Sequence, residues 1–150
     1  MSDRKHDPEA PLAADRPAEL GYAPMDSIHA ELDALLQQCH GPAEPDWLAL
    51  LTQIDEHLRE HFAAEDRWMS ETEFPPRDCH MDEHAAVLRS STEVLALARG
   101  GDFAQARPFV EELARWFPGH ADYLDSALAA WMCKRQYGGK PVVLHRPRPR

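Results

Sequence analysis

The sequence lacks any apolar run close to the roughly 20 residues that a membrane-spanning helix needs. Its first 20 residues also lack the apolar stretch of a secretory signal peptide. We therefore expect no membrane partner.

Basic residues and cysteines are both scarce. Lys and Arg total 16 against 26 Asp and Glu, which gives a net charge of -10. This balance argues against a nucleic-acid or anionic-membrane partner. The three cysteines, Cys39, Cys79 and Cys133, form no CxxC pair and cannot all pair with one another. They indicate reduced thiols and hence a cytoplasmic location.

Strand-like alternation and internal repeats are absent, and four segments instead repeat their apolar residues every 3.6 positions. The segments cover about 25–39, 47–69, 76–98 and 110–131. Asp46 is a candidate N-cap for the second segment, and Pro108 separates a short turn at 102–106 from the fourth. Short connections favour antiparallel neighbours, so we predict an all-α fold, an up-down-up-down four-helix bundle.

We predict three parts along the chain. Residues 1–20 are polar and rich in Pro and Ala, which is typical of a disordered arm. Residues 21–137 would form the bundle, and residues 138–150 a flexible basic tail. A chain of 150 residues suits one domain with its own core, and we expect a monomer.

Histidines and carboxylates recur at helical spacing on the apolar faces of these segments. The densest stretch is His61-x3-Glu65-x14-His80-x3-His84. Residues four apart lie on one helix face, so each pair can point at one place in the core. Unpaired polar groups are costly to bury, which favours a metal site. Three further candidates are His29, His120 and Asp125.

The donor types point to zinc or iron. Seven donors exceed what one tetrahedral ion needs and suit two octahedral ions that share carboxylates. The chain has no Glu-x-x-His motif, the signature of carboxylate-rich di-iron bundles. A set of five imidazoles should stabilise highly oxidised iron poorly, which favours reversible oxygen binding over oxygen activation.

The stretch HFAAEDRWMSETEFPPRDCHMDEH resembles the hemerythrin pattern of His-Phe-x-x-Glu-acidic-x-x-Met, an aromatic-Pro, and His-x3-His. Met25-Asp26-x-x-His29 resembles the first-helix element of that family, and Trp116-x3-His120-x4-Asp125 the last. The resemblance runs from Tyr22 to about Met132.

The resemblance implies a role for each donor. One iron would be bound by His80, His84 and His120, and the other by His29 and His61. Glu65 and Asp125 would bridge both irons, together with an oxo or hydroxo group.

The resemblance also implies dioxygen as the ligand, bound at the two-histidine iron. Side chains that would wall the oxygen pocket are Phe62, Met69, Trp116, Phe117 and Ala121, although helical core packing explains the aromatic residues and Met69 equally well. Ala121 stands where the family commonly has a larger aliphatic residue, so we expect an open pocket.

Some neighbouring residues have a plainer interpretation. His57 lies one turn before His61 and could support it, but we favour a position at the end of the bundle. Cys79 should point away from its neighbour His80, so we do not expect it to bind metal. His120 and Asp125 are about 140° apart on an ideal α-helix, and either a reaching side chain or a π-bulge would bring both inward.

The function that these features predict is reversible dioxygen binding for carriage, storage or buffering, without catalysis. Alternatives are sensing of oxygen, nitric oxide or redox state through the same site, or a di-iron enzyme that consumes peroxide or nitric oxide.

Overall fold

A computed structural model of the chain describes residues 19–136, in which no strand occurs. A 3₁₀ turn at Gln38–His40 follows the first helix, and a π-helical segment, Ala121–Asp125, joins the last two into one continuous helix. The α-helices are α1 (Ala23–Gln37), α2 (Trp47–Glu71), α3 (Arg77–Arg99), α4 (Ala106–His120) and α5 (Ser126–Gln136).

The helices form a four-helix bundle, as predicted. Helix α1 packs on α2, α2 on α3, α3 on α4, and α4 back on α1. Each connection is short, so neighbouring helices run antiparallel. Among the described helices, none is both long and apolar enough to cross a membrane.

Local signals at the helix ends act as the sequence suggests. The Asp46 side chain accepts a hydrogen bond from the Ala49 amide at 3.2 Å and caps α2. Gly101 has a φ of +90°, a conformation that only glycine adopts easily, in the turn between α3 and α4. Helix α4 begins at Ala106, so Pro108 lies within its first turn instead of preceding it.

Residues at the predicted boundary between the arm and the bundle contact helix α1. The Leu20 amide donates to Asp26 at 2.7 Å, and the Gly21 amide donates to the same carboxylate at 3.1 Å. Leu20 also packs against apolar residues of the bundle. The rest of the predicted arm, residues 1–18, and the predicted tail, 138–150, lie outside the described residues.

Apolar side chains form two separate clusters along the bundle axis. The large cluster includes Leu32, Leu58 and Phe117. The small cluster is built on Met25, Met69, Phe74, Leu128 and Ala129. On α1, α2 and the continuous α4–α5 helix, small-cluster residues lie on one side of the candidate ligands and most large-cluster residues on the other. A polar layer therefore separates the two apolar clusters.

Candidate metal centre

All seven predicted ligands meet in the polar layer, and every long helix contributes. Each of the seven is buried, with at most 4% of its surface exposed. Helix α1 supplies one, α2 two and α3 two, while α4 and the π segment supply one each. The residues are His29, His61, Glu65, His80, His84, His120 and Asp125.

A π-helical segment orients the last two ligands. His120 is the final residue of α4, and Asp125 is the final residue of the segment Ala121–Asp125. The wider turn lets both side chains reach the interior, as predicted, and their Nε2 and Oδ1 atoms are 3.2 Å apart. Pro118 lies in α4 two residues earlier and does not interrupt the helix.

The donor atoms fall into two overlapping groups. Within each group one donor atom per residue lies within 4.8 Å of the others. Glu65 and Asp125 belong to both groups. The first group adds His80, His84 and His120, and the second adds His29 and His61. This is the three-and-two division that the resemblance implies.

Unpartnered polar atoms show that these residues fit a cation. Glu65 Oε1 and both Asp125 oxygens are buried without a hydrogen bond of acceptable geometry. Nevertheless Asp125 Oδ1 lies 2.9 Å from His80 Nε2, and Oδ2 lies 3.1 Å from His29 Nε2. These atoms therefore lie close together without the alignment of a hydrogen-bond donor and acceptor. Atoms that bind one metal ion are arranged in this way.

A buried carboxylate outside the centre looks different. Asp55 on α2 accepts hydrogen bonds from Ser91 Oγ at 2.8 Å and from Arg59 Nε at 2.9 Å. Buried polar groups normally find such partners. The fold can therefore satisfy a buried carboxylate, and leaves Glu65 and Asp125 short of partners only in the polar layer.

The imidazole spacing also suits a bound metal ion. His80 Nε2 and His120 Nε2 are 3.1 Å apart, and His84 Nε2 and His120 Nε2 are 3.2 Å apart. Neighbouring nitrogens each about 2.1 Å from an octahedral ion would lie about 3.0 Å apart. A tetrahedral ion would hold them about 3.4 Å apart, so the observed distances lie between the values of the two geometries.

Charges in the polar layer compensate one another. Burial lowers the pKa of His29, but Asp125 and Glu65 outweigh this effect and raise the pKa to about 9. His80 behaves in the same way and its pKa also rises to about 9. Burial alone would raise the pKa of each carboxyl, yet the surrounding imidazoles hold the pKa of Glu65 and of Asp125 below the usual range.

Three ligand imidazoles direct Nδ1, their outer nitrogen, away from the other donor atoms. Each of these outer nitrogens lies beside a partner that spacing in the sequence did not identify. His84 Nδ1 lies 2.7 Å from Asp66 Oδ1, and His120 Nδ1 lies 3.2 Å from Glu83 Oε1. Asp66 is the acidic residue that follows Glu65 in the hemerythrin-like motif, but its spacing did not predict a contact with His84. Glu83 carried no signal because its partner is 37 positions away.

His57 corrects an expectation. Its Nε2 lies 3.2 Å from His61 Nδ1, so it contacts a predicted ligand and does not simply lie at the bundle end. Burial and the neighbouring imidazoles of His61 and His29 lower the pKa of His57 to about 4. It is therefore a neutral hydrogen-bond partner for His61 near pH 7.

Aromatic rings enclose the ligands on the side of the large cluster. Phe62 stacks on His84 with ring centroids 4.1 Å apart, and Trp116 stacks on His120 at 4.3 Å. Phe117 lies edge-on to His29 at 4.9 Å. Among the other predicted pocket residues, Met69 is buried in the small cluster, and Ala121 is buried at the start of the π segment.

An open groove of about 600 Å³ runs between α3 and α4 beside the metal centre, without containing its donors. Val87, Val94, Phe109 and Leu113 form part of its apolar lining. Glu83 and Trp116 line its end nearest the centre.

Cys79, which we did not expect to bind metal, is exposed and belongs to neither donor group.

A buried layer of five imidazoles and two carboxylates across a four-helix bundle defines a non-haem metal-binding protein. The family described as hemerythrin HHE cation binding domain matches residues 20–132. A protein named Bacteriohemerythrin, from Ralstonia nicotianae (strain ATCC BAA-1114 / GMI1000), is 38% identical over 116 residues, which cover 77% of this chain and 85% of that protein. No solved structure matches significantly. The chain belongs to the hemerythrin family.

Proposed function

We propose that the protein binds dioxygen reversibly at a non-haem centre of two iron ions, in the service of oxygen carriage, storage or buffering. The division of the seven donors into a three-imidazole and a two-imidazole group that share Glu65 and Asp125 carries this proposal. Family membership and the name of the relative support it.

Each group would hold one ion. His80, His84 and His120 would bind the first, and His29 and His61 the second, while Glu65 and Asp125 would bind both. The second ion would have one protein ligand fewer and hence a free coordination position. When bound, the two ferrous ions would supply the electrons for reversible dioxygen binding.

The protein side chains would hold and isolate the site. Asp66 and Glu83 accept hydrogen bonds from ligand imidazoles and so fix their ring orientation. Phe62, Trp116 and Phe117 pack on ligand rings and exclude water from that side.

Metal analysis and oxygenation together test the proposal. We expect two irons per chain after anaerobic reconstitution and a visible absorption band that appears in air and disappears on deoxygenation over repeated cycles. One tightly bound zinc without a second ion would contradict the di-iron centre. Rapid, irreversible bleaching in air would favour the enzyme or redox-sensing alternative.

A ligand variant supplies the matched comparison. Glu65→Ala removes a shared carboxylate and should lower the content of both ions. Glu60→Ala changes an exposed carboxylate on the same helix and should leave both in place. The cytoplasmic location, the monomeric state and the lack of a nucleic-acid partner remain predictions from composition.

A further inference from the structure

The outer hydrogen-bond partners of the ligands differ between the two donor groups. In the three-imidazole group, His84 and His120 direct Nε2 to the centre, so Nδ1 carries the proton. Each Nδ1 then donates to a carboxylate, Asp66 at 2.7 Å and Glu83 at 3.2 Å. Two ligands of this group therefore have an anionic partner.

In the two-imidazole group, neither outer nitrogen directly contacts a carboxylate of the described residues. His61 Nδ1 donates to the imidazole of His57 at 3.2 Å. His29 Nδ1 has no hydrogen-bond partner among the described residues. The carboxylate of Glu31 lies 3.9 Å from His57 Nδ1, but its side chain is 66% exposed and reaches the centre only through two rings.

This difference in outer hydrogen-bond partners should give the two positions different affinities for a metal ion. A carboxylate that accepts from the outer nitrogen makes an imidazole a stronger electron donor and fixes its orientation. An imidazole acceptor fixes the orientation but adds no negative charge. The three-imidazole position thus has one more protein ligand and two more nearby anions than the two-imidazole position.

We infer that the two positions fill in order, with the three-imidazole position first and more tightly. Asp66 and Glu83 act as the positioning residues that strengthen it, and His57 acts as the positioning residue of the weaker one. The inference rests on the proposed two-ion centre and adds the order in which its two positions fill.

Ferrous ion titrated anaerobically into the metal-free full-length chain, in competition with a chromophoric chelator, measures both affinities. We expect two binding steps whose dissociation constants differ by about 10-fold or more, the usual size of an outer-partner effect. Circular dichroism of each metal-free variant reports separately whether the bundle still folds.

Charge-removing variants assign the steps. Asp66→Asn and Glu83→Gln should each weaken the first step by about 10-fold and leave the second little changed. Glu60→Gln and Asp82→Asn remove one exposed carboxylate each from the same two helices and should change neither step.

Variants of His57 test the weaker position. His57→Leu removes the acceptor for His61 and should weaken the second step only. His57→Gln keeps a side-chain oxygen that can accept, so it should restore much of the affinity. A merely structural role for His57 would not give this rescue with unchanged helicity.

The outcomes separate the two proposals. Two ions bound with equal affinity, or an Asp66→Asn effect no larger than that of Glu60→Gln, would overturn the ordered filling and leave the di-iron centre intact. A stoichiometry below two in the wild-type chain would overturn the di-iron centre, and the ordered filling with it.

Discussion

At the scale of single residues, Ala121 carries the expectation of an open oxygen pocket. It is 8% exposed and follows His120 directly. Ala121→Ile would add three carbons beside the centre, each worth about 0.8 kcal/mol when buried. We expect slower decay of the oxygenated protein in air at fixed pH, because water has less room near the centre.

Two measurements accompany this variant. Its iron content should equal that of the wild type, and Ala127→Ile, an exposed change on α5, should leave the decay rate unchanged. Equal or faster decay in Ala121→Ile would show that another side chain already closes the pocket.

His29 and His80 give a second residue-scale prediction, the release of protons on metal binding. In the metal-free protein their pKa values of about 9 lie above the ordinary 6.5, so both are protonated at pH 7. A metal binds the neutral imidazole, so uptake must expel these protons. Zinc added to weakly buffered protein with a pH indicator should acidify the solution.

The sign of this effect follows from the raised pKa values. The ion pairs of His29 and His80 stabilise the metal-free bundle fully below about pH 6.5, and this contribution is lost as the pH rises through 9. Proton release per ion should therefore fall between starting pH 7 and 9.5. If the number of protons released per ion were the same across this pH range, the protons would not come from His29 and His80.

Single residues also show how far sequence reasoning reaches. Spacing of four or five residues related six of the seven candidate ligands in pairs, because helical geometry relates close neighbours in the chain. His29 was proposed from its place on the apolar face of the first helix and from the family resemblance. Spacing did not find the contact between His120 and Glu83, which joins two helices. For His57 it offered two positions and favoured the wrong one, since the choice depends on the ring orientation of His61.

At the scale of elements, the π segment gives a prediction about chain length. His120 and Asp125 are five apart and need the wide turn to point inward together. Deletion of Tyr123, which is 83% exposed, would place them four apart, about 40° from alignment on an ordinary α-helix. We expect the deletion variant to keep its metal, with the π segment replaced by α-helix.

Insertion is the matched test. One alanine after Tyr123 would place the two ligands six residues apart, about 120° from alignment on an α-helix. We expect that variant to lose metal while its helical circular dichroism is retained. Loss of metal in the deletion variant as well would mean that the π geometry itself, and not only the direction of Asp125, is required.

Helix boundaries were predictable where one residue sets them. The Asp46 cap falls where the sequence places it, because a cap acts within one turn. Pro108 was assigned wrongly, since proline is tolerated in a first turn as well as before a helix. The sequence offered a π-bulge as one of two ways to bring both ligands inward, and the packed helices show that it forms.

At the scale of the whole molecule, a polar layer divides the core. The large and small clusters are joined across buried imidazoles and carboxylates, several of whose atoms lack hydrogen bonds. A bound ion satisfies these atoms, and a ligand that binds only the folded state at 100 times its dissociation constant adds about 2.7 kcal/mol. We expect a higher thermal midpoint with metal.

The two apolar clusters should also respond unequally to metal removal. The small cluster rests on fewer buried side chains than the large one. When the metal is removed, the rate of amide hydrogen exchange should increase first near Met25, Met69 and Leu128. Uniform exchange, or equal thermal midpoints with and without metal, would show that the polar layer is stable by itself.

The position of the polar layer also ties the turnover of this protein to iron supply. The unfolded fraction of a chain that is stabilised by a bound ion grows as that ion becomes scarce. Proteases in cells act continuously on unfolded chains, so a loss of one or two kcal/mol can change abundance several-fold. Iron limitation would thus lower the amount of the protein in the cell along with the proposed oxygen binding.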